Sequence, residues 1–434
     1  MKQFYSLAEV ADMLSVSKAT LRRWDKNGKL SPVRHPINNY RVYARESLKQ
    51  FPEIKFLFED FTYMPAIPER KYTVMELFAG AGGLALGLER AGLNCVMLNE
   101  IDHWACETLR VNRPHWNVVE DDVANLDFAP FKGQVDVVTG GFPCQAFSYA
   151  GKKLGFEDAR GTLFYEFARA VNEIQPLIAV GENVRGLMRH DNGRTLEGMI
   201  NVLDELGYRV IPPKVLKAIF YRVPQKRERL FLIAIRKDTN IQFEYPQPHK
   251  QLYSLKDALK AGSLYDTDVP NSEGQLYPKS KKEVMELVPP GGYWRDLPVD
   301  VQKKYMKKSF YLGGGKTGMA RRMSWEEPCL TLTCSPAQKQ TERCHPEETR
   351  PFTVREYARI QTFPDEWAFA GSVSVQYRQI GNAVPVNLAF HMGEAIVKAL
   401  NTHNQLSYFD EEQMTPYQLR LLEQSQQEYE LATV

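Results

Sequence analysis

Tyr72-Thr73-Val74-Met75-Glu76-Leu77-Phe78-Ala79-Gly80-Ala81-Gly82-Gly83-Leu84-Ala85-Leu86-Gly87-Leu88 sets a buried-type strand, a glycine turn and an apolar helix end to end. The pattern predicts a strand over Tyr72 to Phe78, a turn over Gly80 to Gly83 and a helix over Leu84 to Ala91. Glycines at such a turn let the backbone approach a bound cofactor without Cβ interference. The same alternation continues outward. Strands are expected at Asn94 to Asn99, Val135 to Thr139 and Leu177 to Val180, with helices at Trp104 to Val111 and Leu163 to Ile174. An α/β fold follows, with a parallel sheet covered on both faces and ligands beyond the carboxyl ends of its strands. From Thr239 to Cys344 the alternation stops, and Val384 to Leu400 restores a long amphipathic helix.

The chain has 434 residues, enough for about three domains. Its 43% apolar and 25% charged content is that of a globular protein. No stretch reaches the ~18 apolar residues of a membrane span, and Met1 to Val10 lacks a signal-peptide core, so a cytoplasmic location is expected with no membrane partner. Six cysteines are too few for a disulfide scaffold. The formal charge is only +2, but it is unevenly placed. Residues 1 to 50 hold ten Lys or Arg against four acids, and Tyr277 to Arg322 hold eleven against four, whereas His403 to Val434 hold one against six. Two basic blocks on a neutral body suit two surfaces that meet phosphate.

In the first basic block Ser6 and Glu9 form a capping box, and Ser17 can cap a second helix carrying Arg22, Arg23 and Trp24, ended by Asn27-Gly28. A hairpin with its turn near Asn38-Asn39 follows over His35 to Tyr43, then a helix over Glu46 to Phe51. This resembles the winged helix-turn-helix of MerR-type regulators, which would place Arg22, Arg23 and the wing residue Arg41 on DNA. Asn39 stands where that family often has glycine, and no long dimerisation helix follows. Phe58 to Lys71, with Pro65 and Pro68, reads as a linker.

Chemistry-bearing residues gather at strand ends. Glu100, twenty residues after Gly80, is placed to accept from ribose hydroxyls. Thr139-Gly140-Gly141-Phe142-Pro143-Cys144-Gln145 puts a thiol directly after a strand, where a cationic or helix-terminal setting would make it a nucleophile. Glu182-Asn183-Val184 follows the next strand, and Gln225-Lys226-Arg227-Glu228-Arg229 precedes the apolar strand Leu230 to Ile235. A thiol, a carboxylic acid and two arginines thus converge on one rim.

These motifs, together with Arg355-Glu356, Phe363-Pro364 and Gly381-Asn382-Ala383-Val384-Pro385, stand in the order of the bacterial DNA (cytosine-5)-methyltransferases, which the chain closely resembles from about Tyr72 to Leu400. The resemblance implies a Rossmann-like, S-adenosyl-L-methionine-dependent methyltransferase with a separate target-recognition domain and the small winged helix added. It implies that Cys144 adds to cytosine C6 as thiolate, that Glu182 protonates toward N3, and that Arg229 and Arg227 hold the base. The target nucleotide would be flipped out of a double-stranded DNA. Cofactor contacts carry over to Phe78, Gly80, Gly82, Glu100, Asp122, Pro143, Leu163 and Asn382. Ile101, Phe220 and Arg222 depart from the family pattern, the last two standing for Asp and Gly; altered packing or a phosphate contact is expected there.

DNA contacts are expected from Gln145, Ser148, Lys152 and Lys153 on a loop closing over the base, and from Arg295, Lys316, Arg321 and Arg322 in the recognition region. The stretch from Arg321 through Trp325 to Thr333 looks like members that modify GG(N)CC-type sites. No metal is expected, because the spacing of Cys329, Cys334 and Cys344 is not that of a zinc site. The expected domains are 1–58 (winged helix), 59–71 (linker), 72–238 and 345–402 (catalytic), 239–344 (target recognition) and 403–434 (acidic tail). The expected role is the modification half of a restriction system, whose cognate endonuclease is a partner in function, and whose winged helix binds the chain's own promoter. A tRNA cytosine-5 methyltransferase and a DNA-binding regulator on a methyltransferase scaffold are the alternatives.

Overall fold

The computed structural model describes residues 3–36, 39–59, 63–143, 162–312, 316–404, 415–417 and 420. Cys144, Gln145, Ser148, Lys152, Lys153, Asn38, Gly313 to Gly315 and most of the acidic tail lie outside the described residues.

The N-terminal module folds as its caps dictate. Strand β1 (Phe4–Ser6) leads into helix α1 (Leu7–Met13), where Ser6 and Glu9 form the capping box, and Ser17 caps helix α2 (Lys18–Lys26). Strands β2 (Val33–Arg34) and β3 (Arg41–Ala44) make the wing, followed by helix α3 (Arg45–Leu48) and a 3-10 helix, Pro52–Phe58. Strand β1 joins the wing in a three-stranded sheet ordered β1-β3-β2, a pairing across some forty residues that local pattern does not announce.

The body is built on a seven-stranded sheet. Its parallel strands are β4 (Thr73–Leu77), β5 (Asn94–Glu100), β6 (Val118–Glu120), β7 (Val137–Gly140) and β8 (Ile178–Val184), connected through helices α4 (Gly83–Arg90), α5 (His103–Asn112) and α6 (Leu163–Ile174). After helix α7 (Arg194–Glu205) come β9 (Tyr208–Lys217), the short β10 (Gln225–Lys226) and β11 (Glu228–Arg236). Strand β11 runs antiparallel to both β8 and β9, so the sheet is mixed, not wholly parallel as expected from the alternation. The order is β6-β5-β4-β7-β8-β11-β9. Strand β8 also continues through Val184, so Glu182 and Asn183 lie within the strand and not after it.

The recognition region, with helices α8 (Leu255–Leu259), α9 (Lys279–Glu286), α10 (Val299–Met306) and the two-residue strand β12 (Cys329–Leu330), is largely irregular. It gathers its own small core around Met285, Trp294, Met306 and Met319. Helices α11 (Val354–Ile360), α12 (Val373–Asn382) and α13 (Val386–Asn404) then return to the body. On one face of the sheet Val74, Val137, Ile178 and Ile233 pack against Leu84 and Leu88 of α4 and Leu388 and Ile396 of α13. On the other, Met75, Val138 and Leu232 meet Phe167 and Val171 of α6 and Val202 of α7. The alternation of strand residues between these two layers is what fully buried strands require.

Packing describes two of the connections. The segment after Phe58 is strapped to α13: the Tyr63 hydroxyl donates to Glu394 at 2.5 Å and Asn401 Nδ2 donates to the Ile67 carbonyl at 2.8 Å. Phe220 and Arg222 are both buried. The Phe220 ring takes the edge of Phe56 at 5.0 Å between centroids, and Arg222 lies over the Tyr253 ring at 5.1 Å. Of the two outcomes expected there, altered packing is the one found.

Candidate active site

The carboxyl edge of β4, β5, β7 and β8 opens into a cavity of about 640 Å³ lined by Phe78, Gly80, Glu100, Pro143, Leu163, Glu182, Arg229 and Asn382 among others. Its floor is the turn after β4. Phe78 holds a left-handed φ of 59°, rare outside glycine, and Gly80 a φ of 54°. Nothing lies within 4 Å of where a Gly80 Cβ would stand, so its backbone faces open space. Gly82 serves otherwise: a Cβ there would come within 2.7 Å of Leu109, pointing away from the cavity. Gly83 is held by packing too, since its Cβ would run into the Val384 carbonyl.

Glu100 Oε2 accepts from the Gly80 amide at 2.8 Å, and its Oε1 accepts from Ile101 and Asp102, each at 2.9 Å. The carboxylate is thereby fixed in the turn. Ile101 lines the cavity while 67% exposed. Asp122 is exposed, caps a 3-10 turn by accepting from Ala124 and is not among the lining residues. Across the mouth, Arg378 reaches Asp102 at 2.8 Å.

The far wall carries the acid. Glu182 Oε1 lies 2.6 Å from Arg229 Nε, both side chains nearly buried. Burial pushes the Glu182 carboxyl above its usual range in spite of Arg229 and Arg227, and burial also lowers Arg229. The site therefore favours a protonated carboxyl more than water does. A Cβ on Gly141 would stand 3.4 Å from Glu182 Oε2, and Asn183 Nδ2 donates to the Phe142 carbonyl at 2.8 Å. Those two contacts lay the Gly141 to Pro143 segment against the acid.

Arg227, expected on the base, lies elsewhere. It is 2% exposed and donates to the carbonyls of Leu332 (3.1 Å), Gly381 (2.8 Å) and Ala383 (3.0 Å). Through Nη1 and Nη2 its guanidinium clamps the recognition region and the turn before α13 to the rim. That same turn presents Asn382, whose Oδ1 accepts from the Cys334 thiol at 3.1 Å. Arg322 is a second correction. It is 3% exposed and donates to the carbonyls of Val288 and Met285, each at 2.8 Å, so it braces the recognition region from inside and has no face for DNA. Arg321 is half-buried and Lys316 donates to the carbonyls of Ser309 and Leu312, leaving Arg295 as the exposed member of the four. On the N-terminal module Arg22, Arg23 and Arg41 are exposed.

One residue of the cavity escaped sequence reasoning. Glu76, on β4, lines it at 2% exposure with an unpartnered Oε2. Burial, with Glu100 and Glu182 close by, raises its carboxyl well above the usual range. A glutamate inside a buried strand was the available signal.

A family model for C-5 cytosine-specific DNA methylase matches residues 72–398. The chain belongs to that family. A second model, for the MerR family of regulatory proteins, matches residues 6–43. Among curated relatives, the Escherichia coli type II methyltransferase M.Eco47II is 64% identical over 93% of this chain and 98% of its own length. M.PspPI of Psychrobacter sp. (strain TA137) is 59% identical over 92% and 96%, and M.Sau96I of Staphylococcus aureus 53% over 82% of each. A crystal structure described as a DNA modification methyltransferase encoded within an E. coli prophage superposes with a TM-score of 0.59 at 26% identity, covering 76% of this chain and all of its own. The methyltransferase is thus a DNA cytosine-5 enzyme that uses S-adenosylmethionine, and its relatives do not favour the tRNA and regulator alternatives. No helix among the described residues is long and apolar enough to cross a membrane.

The cavity fits the cofactor. It has nucleoside-sized room, a glycine backbone facing open space at Gly80, and the fixed Glu100 carboxylate at one end.

Proposed function

We propose that the residues around this cavity divide the methyl transfer among them as follows. Phe78, Gly80, Glu100, Pro143, Leu163 and Asn382 hold S-adenosylmethionine, which supplies an electrophilic methyl group. Cys144 adds as thiolate to C6 of a cytosine rotated out of the duplex. The addition drives electron density toward N3 and C5, and Glu182, whose hold on a proton burial strengthens and which Arg229 positions, supplies the proton at N3. After C5 takes the methyl, the C5 proton passes to water, the thiolate leaves C6 as the C5–C6 double bond reforms, and the N3 proton returns to the Glu182 carboxylate. Arg227 acts as a positioning residue, through the turn that carries Asn382. Gln145, Ser148, Lys152 and Lys153 meet the DNA beside the base, and region 239–344, with Arg295, reads a site of GG(N)CC type.

The observation that carries this reading is the buried Glu182–Arg229 pair facing the segment that leads into position 144. The test is a Cys144→Ala variant, expected to lose methylation with target DNA still bound, together with a duplex carrying 5-fluorocytosine, expected to become covalently trapped on the native chain. An active variant overturns the reading. At the scale of the cell, the proposed role is protection of the site from a cognate restriction endonuclease, with the winged helix also binding promoter DNA of its own operon.

A further inference from the structure

The N-terminal module is seated on the same rim as the catalytic cavity. Asp12, on α1, lies 2.7 Å from Lys226, three residues before Arg229. Lys226 also reaches Glu327 of the recognition region at 3.4 Å, and Glu327 pairs with Lys18, the first residue of α2, at 2.6 Å. Lys217, at the rim end of β9, donates to the Met13 carbonyl at 3.3 Å. Phe56 closes the joint against Phe220, and Val10, Leu21 and Tyr43 belong to one apolar core with Leu216 and Phe231 of the sheet. Three parts of the chain therefore meet in one ionic chain, Asp12–Lys226–Glu327–Lys18, over a shared apolar floor. An arrangement of this kind fixes the orientation of α2 to the catalytic wall.

Charge on the module is sorted by this seating. Asp12 is taken up by Lys226, Asp25 lies 3.7 Å from Arg41, and Glu46 pairs with Lys49 at 2.8 Å. Arg22, Arg23 and Lys26 are exposed, and no ion pair among the described residues engages them. Arg22 stands one helical turn, about 6 Å, beyond Lys18 on the same face of α2, and so next along from the contact with the recognition region.

We propose that Arg22 and Arg23 grip the phosphate backbone of the very duplex being methylated, on a flank outside the recognised site. The module is then a fixed extension of the catalytic DNA-binding surface. The inference rests on the reading that the duplex lies along this rim, and it goes beyond promoter binding, which needs no fixed geometry.

The test compares the full-length native chain with R22A/R23A on two duplexes holding the same methylation site. One is about 12 base pairs long, and the other adds about 15 on each side, more than one helical turn. On the long duplex the variant is expected to bind about tenfold more weakly, with a log–log salt slope shallower by about 2, one phosphate for each arginine. On the short duplex both proteins are expected to bind and methylate alike. Equal binding of both proteins to the long duplex, or an equal loss on both lengths, overturns the proposal. Methylation of the short duplex by the native chain reports on the catalytic reading separately, so the two failures are distinguishable.

Discussion

Single residues at this site differ in how openly they declare their work. Cys144 and Glu182 were singled out by the motifs around them, and the roles proposed for them call for a thiol and a carboxylic acid. Arg227 and Arg322 were misread for one shared reason: an arginine in a basic or catalytic stretch looks the same in sequence whether it faces solvent or caps buried carbonyls. Only packing separates the two. Glu76 was passed over because a strand inside a parallel sheet is read for its apolar residues, and one acid among them carries no label. Its buried carboxyl sits beside Glu100 and Glu182 and holds its proton well above the ordinary range. A group raised in this way stabilises the fold fully below its unfolded pKa, and that contribution is lost as pH rises through the folded value. Thermal unfolding followed from mildly acidic to alkaline pH should therefore show stability falling on the alkaline side, and Glu76→Gln, neutral throughout, should flatten that fall. An unchanged slope would show that Glu76 is ionised in the fold.

Strands and helices of the body were legible wherever the two periods alternate cleanly, from β4 through α6, except the three-residue strand β6, too short to show a period. Strands β8 and β11 were expected, the first too short and the second without its direction, and β9 was missed, each for a physical reason. Strand β8 carries Gly181-Glu182-Asn183 inside the sheet, where function displaces the apolar residues that mark a strand. Strand β9 contains Pro212 and Pro213, which a central strand excludes, but it is an edge strand, where an absent amide costs nothing. The antiparallel turn of β11 follows from long-range pairing that no local pattern encodes. Helices α4 and α13 approach each other closely at Gly87. A Cβ at Gly87 would run into Ala389 Cβ and stand 2.6 Å from the Phe390 amide nitrogen. Gly87→Val should consequently lower unfolding free energy by about 1–3 kcal/mol or more, measured by denaturant titration. An unperturbed midpoint would mean that the two helices can separate without loss.

The whole molecule departs most from its reading along the chain. Composition and proline placement suggested a winged helix joined to the body by a linker. The linker is instead strapped to α13, and the module shares a core with the sheet, because apolar residues such as Phe56 and Phe220 show their partners only in three dimensions. The 93% coverage of the E. coli relative leaves fewer residues unmatched than the module contains, so that relative shares at least part of it. Deletion of residues 1–58 should lower the melting temperature of what remains and increase its binding of a hydrophobic dye, since Phe220 and its neighbours lose their cover. A truncated chain that melts like the intact one would restore the picture of a detachable module.

The clamp made by Arg227 and the seam between α4 and α13 also bear on how the chain is made. The seam joins residues early in the body to partners roughly three hundred residues later, and Arg227 reaches forward to the carbonyls of Gly381 and Ala383. At ribosomal speeds that gap lasts on the order of 15–60 s, during which the face carrying Val74 and Val137 lacks the cover of Leu388 and Ile396. A polypeptide released before α13 emerges can neither close its cofactor turn nor bury its sheet, so a prematurely terminated product is ready for degradation and has no finished site with which to mark the genome.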